Sequence, residues 1–294
     1  MQFFVTGASG FVGSAVVTEL LDAGHHVTGL VRSEHAADTV RALGAEPILG
    51  TIEEATVLRS AAAAADGVIH LAFNHDFSQF AESARVEVAA IEAIGDELAG
   101  SGRPLVIASG LLGLASGRAA LETDPMPPSP RSAGFAAALA LAGRGVRSSV
   151  VRLAPSVHDD VPAGFVGLLA GIARAAGRSG YVGDGAQRWP AVHRRDAARL
   201  FRLAAEDGAA GSVFHATSEA VPVADIAAAV GRLMNVPTDA VGDGDAEARF
   251  GFLAPLLALD TTASTERTRT ALGWTPEGAG LLDDIARWDP EAVS

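Results

Sequence analysis

The stretch MQFFVTGASGFVGS, residues 1–14, joins a short apolar run to a glycine-rich turn and then to the start of a helical pattern. The run over 2–6 reads as a strand, and the glycines follow it with the spacing G-x-x-G-x-x-G. From Phe11 onward apolar residues recur at the period of an α-helix that packs on one side. A strand, a glycine turn and a helix in this order predict the opening unit of a sheet that binds a dinucleotide.

The three glycines of this turn have separate predicted tasks. Gly7 allows the tight turn, Gly10 lets the backbone approach a pyrophosphate, and Gly13 lets the helix lie close to the strand. The amide groups at the start of the helix then favour an anion. We expect the cofactor to contact Thr6, Gly7, Ser9, Gly10, Phe11, Val12 and Gly13.

The end of the second predicted strand, 25–31, decides which dinucleotide fits. An acidic residue there would bind the ribose hydroxyls of NAD, whereas this chain has Arg32 and Ser33, which suit a 2′-phosphate. The alternative is a solvated arginine at a strand end, and Glu34 argues against a phosphate unless it faces away. The sequence therefore predicts NADP(H), held in part by Arg32 and Ser33.

Six predicted strands alternate with helices over the first 154 residues. This alternation predicts an α/β fold, a doubly wound parallel-sheet Rossmann fold with a smaller, mainly helical C-terminal substrate-binding lobe. We expect a dinucleotide-binding domain over 1–155, to which 191–217 returns, and a substrate-binding lobe made of 156–190 and 218–294.

The second half of the chain is less regular. The glycine-rich stretch 181–189 reads as a loop, and Asp196 is expected to cap a helix that runs to about Glu206. A strand is predicted over 213–216, and a further helix over 246–259 is expected to break at Pro255.

Residues that follow the strands are expected to line the ligand crevice, because open α/β sheets bind ligands outside the carboxyl ends of their strands. The fourth strand, predicted over 68–72, supplies Leu71 and Ala72 to the cofactor and is followed by Asn74, a candidate substrate contact. His70 lies inside this apolar strand and is expected to be a core residue rather than a base.

Two loops are candidates for the rim of this crevice. His75 and Asp76 either reach the crevice or are solvated. The segment 110–134 is rich in glycine, proline and serine, and its length without a periodic pattern predicts an active-site loop.

The composition excludes several classes of function. The net charge of −13 and the pI near 5.0 disfavour nucleic acids and anionic membranes as partners, since both select basic surfaces. The absence of cysteine excludes disulfides and thiolate catalysis. Because the first strand is predicted from residue 2, no signal peptide is expected. We expect a cytoplasmic monomer or homodimer that acts on a small molecule without a metal.

Five motifs together resemble the short-chain dehydrogenase/reductase superfamily, in particular its extended branch and an atypical subgroup described as NAD-dependent epimerase/dehydratase-like. They are TGASGFVG (6–13), DGVIHLA (66–72), VVRLAPSV (150–157), GDGAQRWPAVHRRDAARL (183–200) and VPVADIAAAVGRLMNVP (221–237). The resemblance covers nearly the whole chain. It implies that Pro155, Ser156 and Val157 meet the nicotinamide of the cofactor.

The chain departs from this superfamily at the catalytic dyad Tyr-x-x-x-Lys. All 22 basic residues are arginine, and the single tyrosine, Tyr181, has Gly185 four positions on. The resemblance places Ser109 at the position of the superfamily's Ser/Thr. It places Arg131 where the dyad would fall, as a ribose-facing cation but not as an acid. The proton donor stays open between Ser109 with a water chain, Tyr181, His193 and His158.

The substrate side is predicted from the fourth motif. Tyr181, Arg188 and Trp189 are expected to form a pocket with an aromatic wall, in which Arg188 receives an anionic substrate group. The alternative for Arg188 is an ion pair with Asp184. His193 suits proton transfer near neutral pH, or else orients its loop through a backbone hydrogen bond.

Two other kinds of site are not predicted. Two adjacent acids beside His158 do not converge on one metal ion, and no G-x-S-x-G elbow surrounds Ser109. The first hypothesis is therefore an NADPH-dependent oxidoreductase that transfers a hydride to a carbonyl or imine of a small substrate. The alternatives are a non-catalytic NADP(H)-binding sensor or scaffold, and an epimerase or dehydratase that acts by transient oxidation.

Overall fold

The computed structural model describes residues 1–74 and 79–293 of the chain. Its strands are β1 (Gln2–Thr6), β2 (His26–Val31), β3 (Glu46–Leu49), β4 (Gly67–His70), β5 (Pro104–Gly110), β6 (Arg147–Leu153), β7 (Ser156–His158), β8 (Ser179–Val182), β9 (Arg188–His193), β10 (Ser212–Ala216), β11 (Glu219–Pro222) and β12 (Thr238–Val241). Its α-helices are α1 (Phe11–Asp22), α2 (Glu34–Ala42), α3 (Ala55–Ala64), α4 (Phe80–Leu98), α5 (Ser132–Ala140), α6 (Gly164–Ala176), α7 (Arg194–Asp207), α8 (Val223–Met234), α9 (Asp243–Phe250), α10 (Ala254–Leu257), α11 (Glu266–Leu272) and α12 (Leu281–Ile285).

The main sheet has seven parallel strands in the order β10-β6-β5-β4-β1-β2-β3. The order reverses direction at β1, so the crevice beyond the ends of β1 and β4 is the switch point where such folds bind dinucleotides. Helices α1 and α7 cover one face of the sheet, and α3, α4 and α5 cover the other. The predicted α/β doubly wound Rossmann fold is confirmed.

Buried apolar side chains on both faces hold this sheet in place. Alternate residues of β1 point to opposite faces, so Phe3 and Val5 pack with α1 and α7 while Phe4 packs with α3 and α4. All three are fully buried. This two-sided burial explains why the strands read as continuous apolar runs in the sequence.

The smaller lobe combines helices with two short sheets. One sheet has the order β11-β9-β7 and the other pairs β12 with β8. Its core is a separate apolar cluster in which Trp189, Ile226, Leu257 and Leu281 are fully buried. Over 1–74 and 79–293, no helix combines the length and the apolar character that crossing a lipid bilayer requires.

Several predicted elements of the second half are wrong. The stretch 181–189 is not one loop, because its two ends form strands with the distant partners β12 and β11. His193, not Asp196, caps α7, since the His193 Nδ1 accepts a hydrogen bond from the Arg195 amide. The helix over 246–259 ends at Phe250, and Pro255 lies in the first turn of α10, where proline is tolerated.

Candidate active site

The glycine-rich turn after β1 is held by close backbone contacts. The Gly10 amide donates to the Gly7 carbonyl over 3.0 Å. Gly7 has φ +70°, and a Cβ there would lie 2.9 Å from the Ala72 amide nitrogen. A Cβ on Gly13 would lie 1.9 Å from the Gly7 oxygen, which no side chain tolerates. These positions therefore require glycine in order to seat α1 against the turn and the end of β4.

The N-terminus of α1 is open to an anion. Its cap is Gly10, which is exposed and offers no side-chain hydrogen bond to the first-turn amides. Phe11 and Val12, the first helical residues, are half-buried beside it. Free amide donors, the positive end of the helix dipole and a bare glycine together fit the pyrophosphate of a dinucleotide.

The end of β2 presents an uncompensated cation. Arg32 is exposed and has no hydrogen bond or ion pair with any residue in the described part of the chain. Ser33 caps α2 through its Oγ, which accepts from the Ala36 amide over 3.3 Å. Glu34 lies 3.6 Å from the Arg41 guanidinium. The nearest carboxylate in sequence is thus drawn along α2, and it does not neutralise Arg32.

Thr6 joins the ends of β1 and β4. Its Oγ1 accepts hydrogen bonds from the amides of Leu71 and Ala72, each over 3.1 Å. The hydroxyl hydrogen is then left for the Nδ1 of His70, 2.9 Å away, so the proton of the neutral imidazole lies on Nε2. Thr6 is fully buried and holds the backbone of this edge in place.

His70 is buried and neutral. Desolvation, helped by the nearby Arg131 cation, lowers its pKa to about 4. Its Nε2 has no hydrogen-bond partner among residues 1–74 and 79–293. The prediction of a core histidine agrees with this burial, but only one of its two ring nitrogens is satisfied.

Ser109 lies near the end of β5 on the face covered by α4 and α5, the same face as Ile107. It is 5% exposed, and its hydroxyl has no hydrogen-bond partner in the described part of the chain. The register places Arg152 of β6 directly beside it and His215 of β10 beside Arg152. Ser109 is therefore a free hydroxyl at the end of a polar row across three strands.

Arg131 lies beside Ser109. Its Nη2 donates to the Ala108 carbonyl over 3.1 Å and to Glu87 Oε1 over 2.6 Å, and its guanidinium stacks on Phe73. Glu87 is only 3% exposed, so the pair is close and largely dry. Nη1 of Arg131 keeps a free donor within the described residues.

Glu87 is a residue of the site that no sequence motif singles out. It lies in α4, four positions before Ile91 and seven before Ile94, and both of these residues are fully buried. A carboxylate on the apolar face of a helix needs a partner, and this spacing was the signal that it had one.

Arg152 was also missed as an organiser of the site. It is fully buried, and its Nη2 donates to the Asp124 carbonyl over 2.8 Å while its guanidinium stacks on Phe135. Its Nη1 lies 3.4 Å from Nε2 of His215, whose pKa burial lowers to about 4. Arg152 thereby ties the 110–134 segment to the sheet edge beside Ser109.

The structure does not bring the lobe residues Tyr181 and Trp189 to this edge. Tyr181 lies in β8 and packs against Gly185 within the lobe. Trp189 is fully buried in β9, with its indole N–H donating to the Leu256 carbonyl. Trp189 is fully buried and therefore does not form the expected pocket wall, whereas Tyr181 is half-buried in the lobe.

Arg188 is neutralised, but not by the expected residue. It forms a two-pronged ion pair with Asp260, whose Oδ1 and Oδ2 lie 3.0 and 2.9 Å from Nε and Nη2. Asp184 instead accepts a hydrogen bond from the Ala186 amide. The suggested pair with Asp184 is therefore wrong, because a carboxylate 72 positions further on reaches the guanidinium.

His193 belongs to a buried charged cluster between the lobe and the nucleotide turn. Its Nε2 lies 3.4 Å from Asp159, and its Nδ1 accepts a backbone amide rather than donating to a carbonyl. His158, the first residue of the His-Asp-Asp triplet, pairs with Asp284 over 2.7 Å. Arg194, paired with Asp159, stacks on Phe11 at 4.8 Å. This cluster fixes the lobe against the start of α1.

The remaining predicted positions lie where two parts of the molecule meet. Pro155 follows β6 and leads directly into β7, which contains Ser156 and Val157 and pairs with β9 of the lobe. Asn74 is exposed after β4. His75 and Asp76 lie outside the described residues.

The model of the NAD-dependent epimerase/dehydratase family matches residues 3–96. A relative from Schizosaccharomyces pombe, described as an uncharacterized protein, is 44% identical over 97% of this chain and 98% of its own. The chain belongs to this family, in the extended short-chain dehydrogenase/reductase superfamily.

Two further relatives bear on the chemistry. A Stigmatella aurantiaca protein, 4-hydroxy-2-methyl-3-oxo-4-farnesyl-3,4-dihydroquinoline-1-oxide ketoreductase, is 33% identical and covers 75% of this chain and 69% of its own. The structure of MoeE5 in complex with UDP-glucose and NAD has a TM-score of 0.74 and 25% identity, covering 98% of this chain and 97% of its own. The protein is thus an NAD(P)-dependent enzyme of the epimerase, dehydratase or reductase type.

Proposed function

We propose that this protein is an NADPH-dependent reductase of a carbonyl group, or of the related imine, in a small substrate. The bound cofactor supplies the hydride from C4 of its nicotinamide. Two observations favour reduction with NADPH. Arg32 is an exposed guanidinium without a partner in the described residues, placed where the adenosine ribose of the dinucleotide ends. A relative of one third identity is a ketoreductase.

The observation that carries the proposal is the free hydroxyl of Ser109 beside Arg131. In the absence of any Tyr-x-x-x-Lys dyad, Ser109 is a hydroxyl at the sheet edge that can donate a hydrogen bond to the substrate oxygen as negative charge develops there. Arg131 is held against the Ala108 carbonyl and keeps one donor for the ribose hydroxyls. Water passes a proton on to Ser109, since a serine alone is too weak an acid.

The other candidates of the sequence analysis are placed less well for this role. His193 uses Nδ1 to cap α7, and His158 is paired with Asp284. Tyr181 is packed within the lobe. We therefore assign the hydrogen bond to the substrate to Ser109, the ribose to Arg131, and the dinucleotide to the glycine turn, Arg32 and Ser33, with the backbone of Leu71, Ala72 and 155–157 facing the nicotinamide half.

The test is Ser109→Ala, assayed by NADPH oxidation with a panel of ketones, aldehydes and cyclic imines. We expect hydride transfer to slow about 100-fold, the cost of losing one donor to a developing oxyanion, with an unchanged Kd for NADPH. The matched control is Ser148→Ala. It removes a buried hydroxyl near the start of β6, at the other end of the sheet from Ser109. An unchanged rate would remove Ser109 from the mechanism. Tight NADPH binding without turnover of any panel member would favour a sensor.

A further inference from the structure

The ion pair between Arg188 and Asp260 has three hydrogen bonds to one carboxylate. Oδ1 of Asp260 accepts from both the backbone amide and the Nε of Arg188, over 2.8 and 3.0 Å, and Oδ2 accepts from Nη2 over 2.9 Å. The Thr261 amide donates back to the Arg188 carbonyl over 2.9 Å. These contacts hold the Asp260 carboxylate against the Arg188 guanidinium, so an incoming anion must compete with Asp260 for this cation.

A cavity of about 410 Å³ opens beside this pair, a volume in the usual range for small-molecule sites. Its lining includes the side chains of Asp184 and Asp260, together with Gln187 and Ala258. Among the described residues that line the cavity, Asp184 and Asp260 are the charged ones, and Asp260 pairs with Arg188, which does not line it. The wall carries net negative charge, which repels anions.

The segment that contains Asp260 also lies near the loop that follows β5. Gly113, four positions after Ser109, lies 4.0 Å from the Cδ1 atom of Leu259, measured from the Cβ that Gly113 would bear. Leu259 and Phe252 are 36% and 44% exposed. Leu259, which precedes Asp260 in the chain, is therefore an exposed apolar side chain near the segment that follows β5.

We propose that Asp260 determines specificity: by cancelling Arg188 it makes the substrate site accept uncharged, apolar carbonyl compounds and reject anionic ones, nucleoside diphosphate sugars included. That the substrate is a carbonyl compound rests on the proposed reductase function, whereas the rejection of anions does not depend on it. Arg118, at the edge of the 110–134 segment, is closed in the same manner by Asp124, over 2.7 and 2.8 Å. Neither guanidinium is left for a diphosphate.

The first experiment measures binding and needs no turnover. UDP-glucose is titrated by calorimetry into protein saturated with the oxidised nicotinamide cofactor, so that the dinucleotide site is closed to it. We expect no measurable binding to the wild type. In Asp260→Asn the amide oxygen can still accept the Arg188 amide, while the cation is freed, and we expect UDP-glucose to bind at least tenfold more tightly than to the wild type.

The chain offers a matched control. Arg178 and Asp239 form a pair of 2.9 Å in the same lobe, with 52% and 38% of their side chains exposed, compared with 48% and 46% for Arg188 and Asp260. Asp239→Asn makes the same change of charge away from the cavity lining. We expect it to leave UDP-glucose binding as in the wild type.

The second experiment compares a straight-chain 2-oxo acid with the methyl ketone of equal length. The wild type should prefer the ketone at least tenfold in kcat/KM, and Asp260→Asn should lower the KM for the acid at least tenfold. Wild-type binding of UDP-glucose, or an Asp260→Asn variant no different from Asp239→Asn, would overturn the proposal. If UDP-glucose binds as expected but neither compound is reduced, the reductase function is contradicted and the assignment of Asp260 stands.

Discussion

The carboxyl edge of the main sheet and the smaller lobe treat their polar groups in opposite ways. At the sheet edge Arg32, the Nε2 of His70 and the hydroxyl of Ser109 lack partners among the described residues. In the lobe, by contrast, Arg188 and His158 are each closed on an aspartate. Both regions are rich in charge, and the lobe also keeps buried atoms without a partner in the described residues, such as the Nε2 of His158, but it pairs Arg188 whereas the sheet edge leaves Arg32 unpaired.

The difference indicates where ligands bind. A buried donor without a partner costs stability, and a ligand that completes its hydrogen bond removes that cost. At the sheet edge the Nε2 of His70 and the hydroxyl of Ser109 are buried groups of this kind, and Arg32 is an exposed cation; the cofactor and the reacting oxygen are proposed to lie there. In the lobe the Arg188 guanidinium is paired with Asp260, and we propose that the lobe therefore selects an uncharged substrate.

The largest expected effect concerns His70 and acid. Its pKa is about 4 in the folded protein and 6.5 when unfolded, so the histidine is neutral in both states above pH 6.5. As the pH falls from 6.5 to 4 only the unfolded chain takes up the proton, and about 3 kcal/mol of stability is lost. The free energy of unfolding, measured with urea at pH 7 and at pH 4, should therefore fall by about 3 kcal/mol less in His70→Gln than in the wild type.

His158→Gln supplies the contrast from the lobe. Burial lowers the pKa of His158 as well, but Asp284 acts in the opposite direction. Its substitution should therefore change the acid dependence less than His70→Gln does. Equal pH dependence in the wild type and His70→Gln would show that the unsatisfied edge histidine does not control acid stability.

The next effect concerns Arg32. Arg32→Glu replaces a free cation with an anion where we propose the 2′-phosphate, and we expect the Kd for NADPH to rise about 100-fold through lost charge-assisted hydrogen bonds and added repulsion. The Kd for NADH should change by less than about threefold, since NADH has no such phosphate. Arg41→Glu, at an arginine already paired with Asp38, is the control. Equal losses for both cofactors would defeat the assignment of NADPH.

The smallest effect is expected at Arg188. Because its charge is already cancelled by Asp260, Arg188→Ala should change the KM for a neutral ketone by less than about threefold and stability by less than about 1 kcal/mol, as for other exposed pairs. Steady-state kinetics and urea unfolding measure both quantities. A loss of kcat/KM comparable to that of Ser109→Ala would mean that Arg188 binds the substrate directly.

The sequence predicted the first half of the fold much better than the second. Strands β1 to β6 lie within two residues of their predicted ends because continuous apolar runs between glycine turns are a local signal. In contrast, β8 and β12 are four-residue strands that pair across more than 50 positions, and they carry no such pattern. Trp189 reads as a pocket wall in the sequence, and only its full burial and the hydrogen bond from its indole to the Leu256 carbonyl show that it is a core residue.

For the site, the sequence by itself was enough to place the nucleotide turn and to exclude the usual Tyr/Lys dyad. The steric limit on Gly13 comes from Gly7, only six positions away, and an absent lysine is absent from any fold. Which arginines are free was decided by tertiary structure alone. Asp260 reaches Arg188 across 72 positions and Glu87 reaches Arg131 across 44, since an ion pair depends on distance in space, which only the packing of remote segments sets.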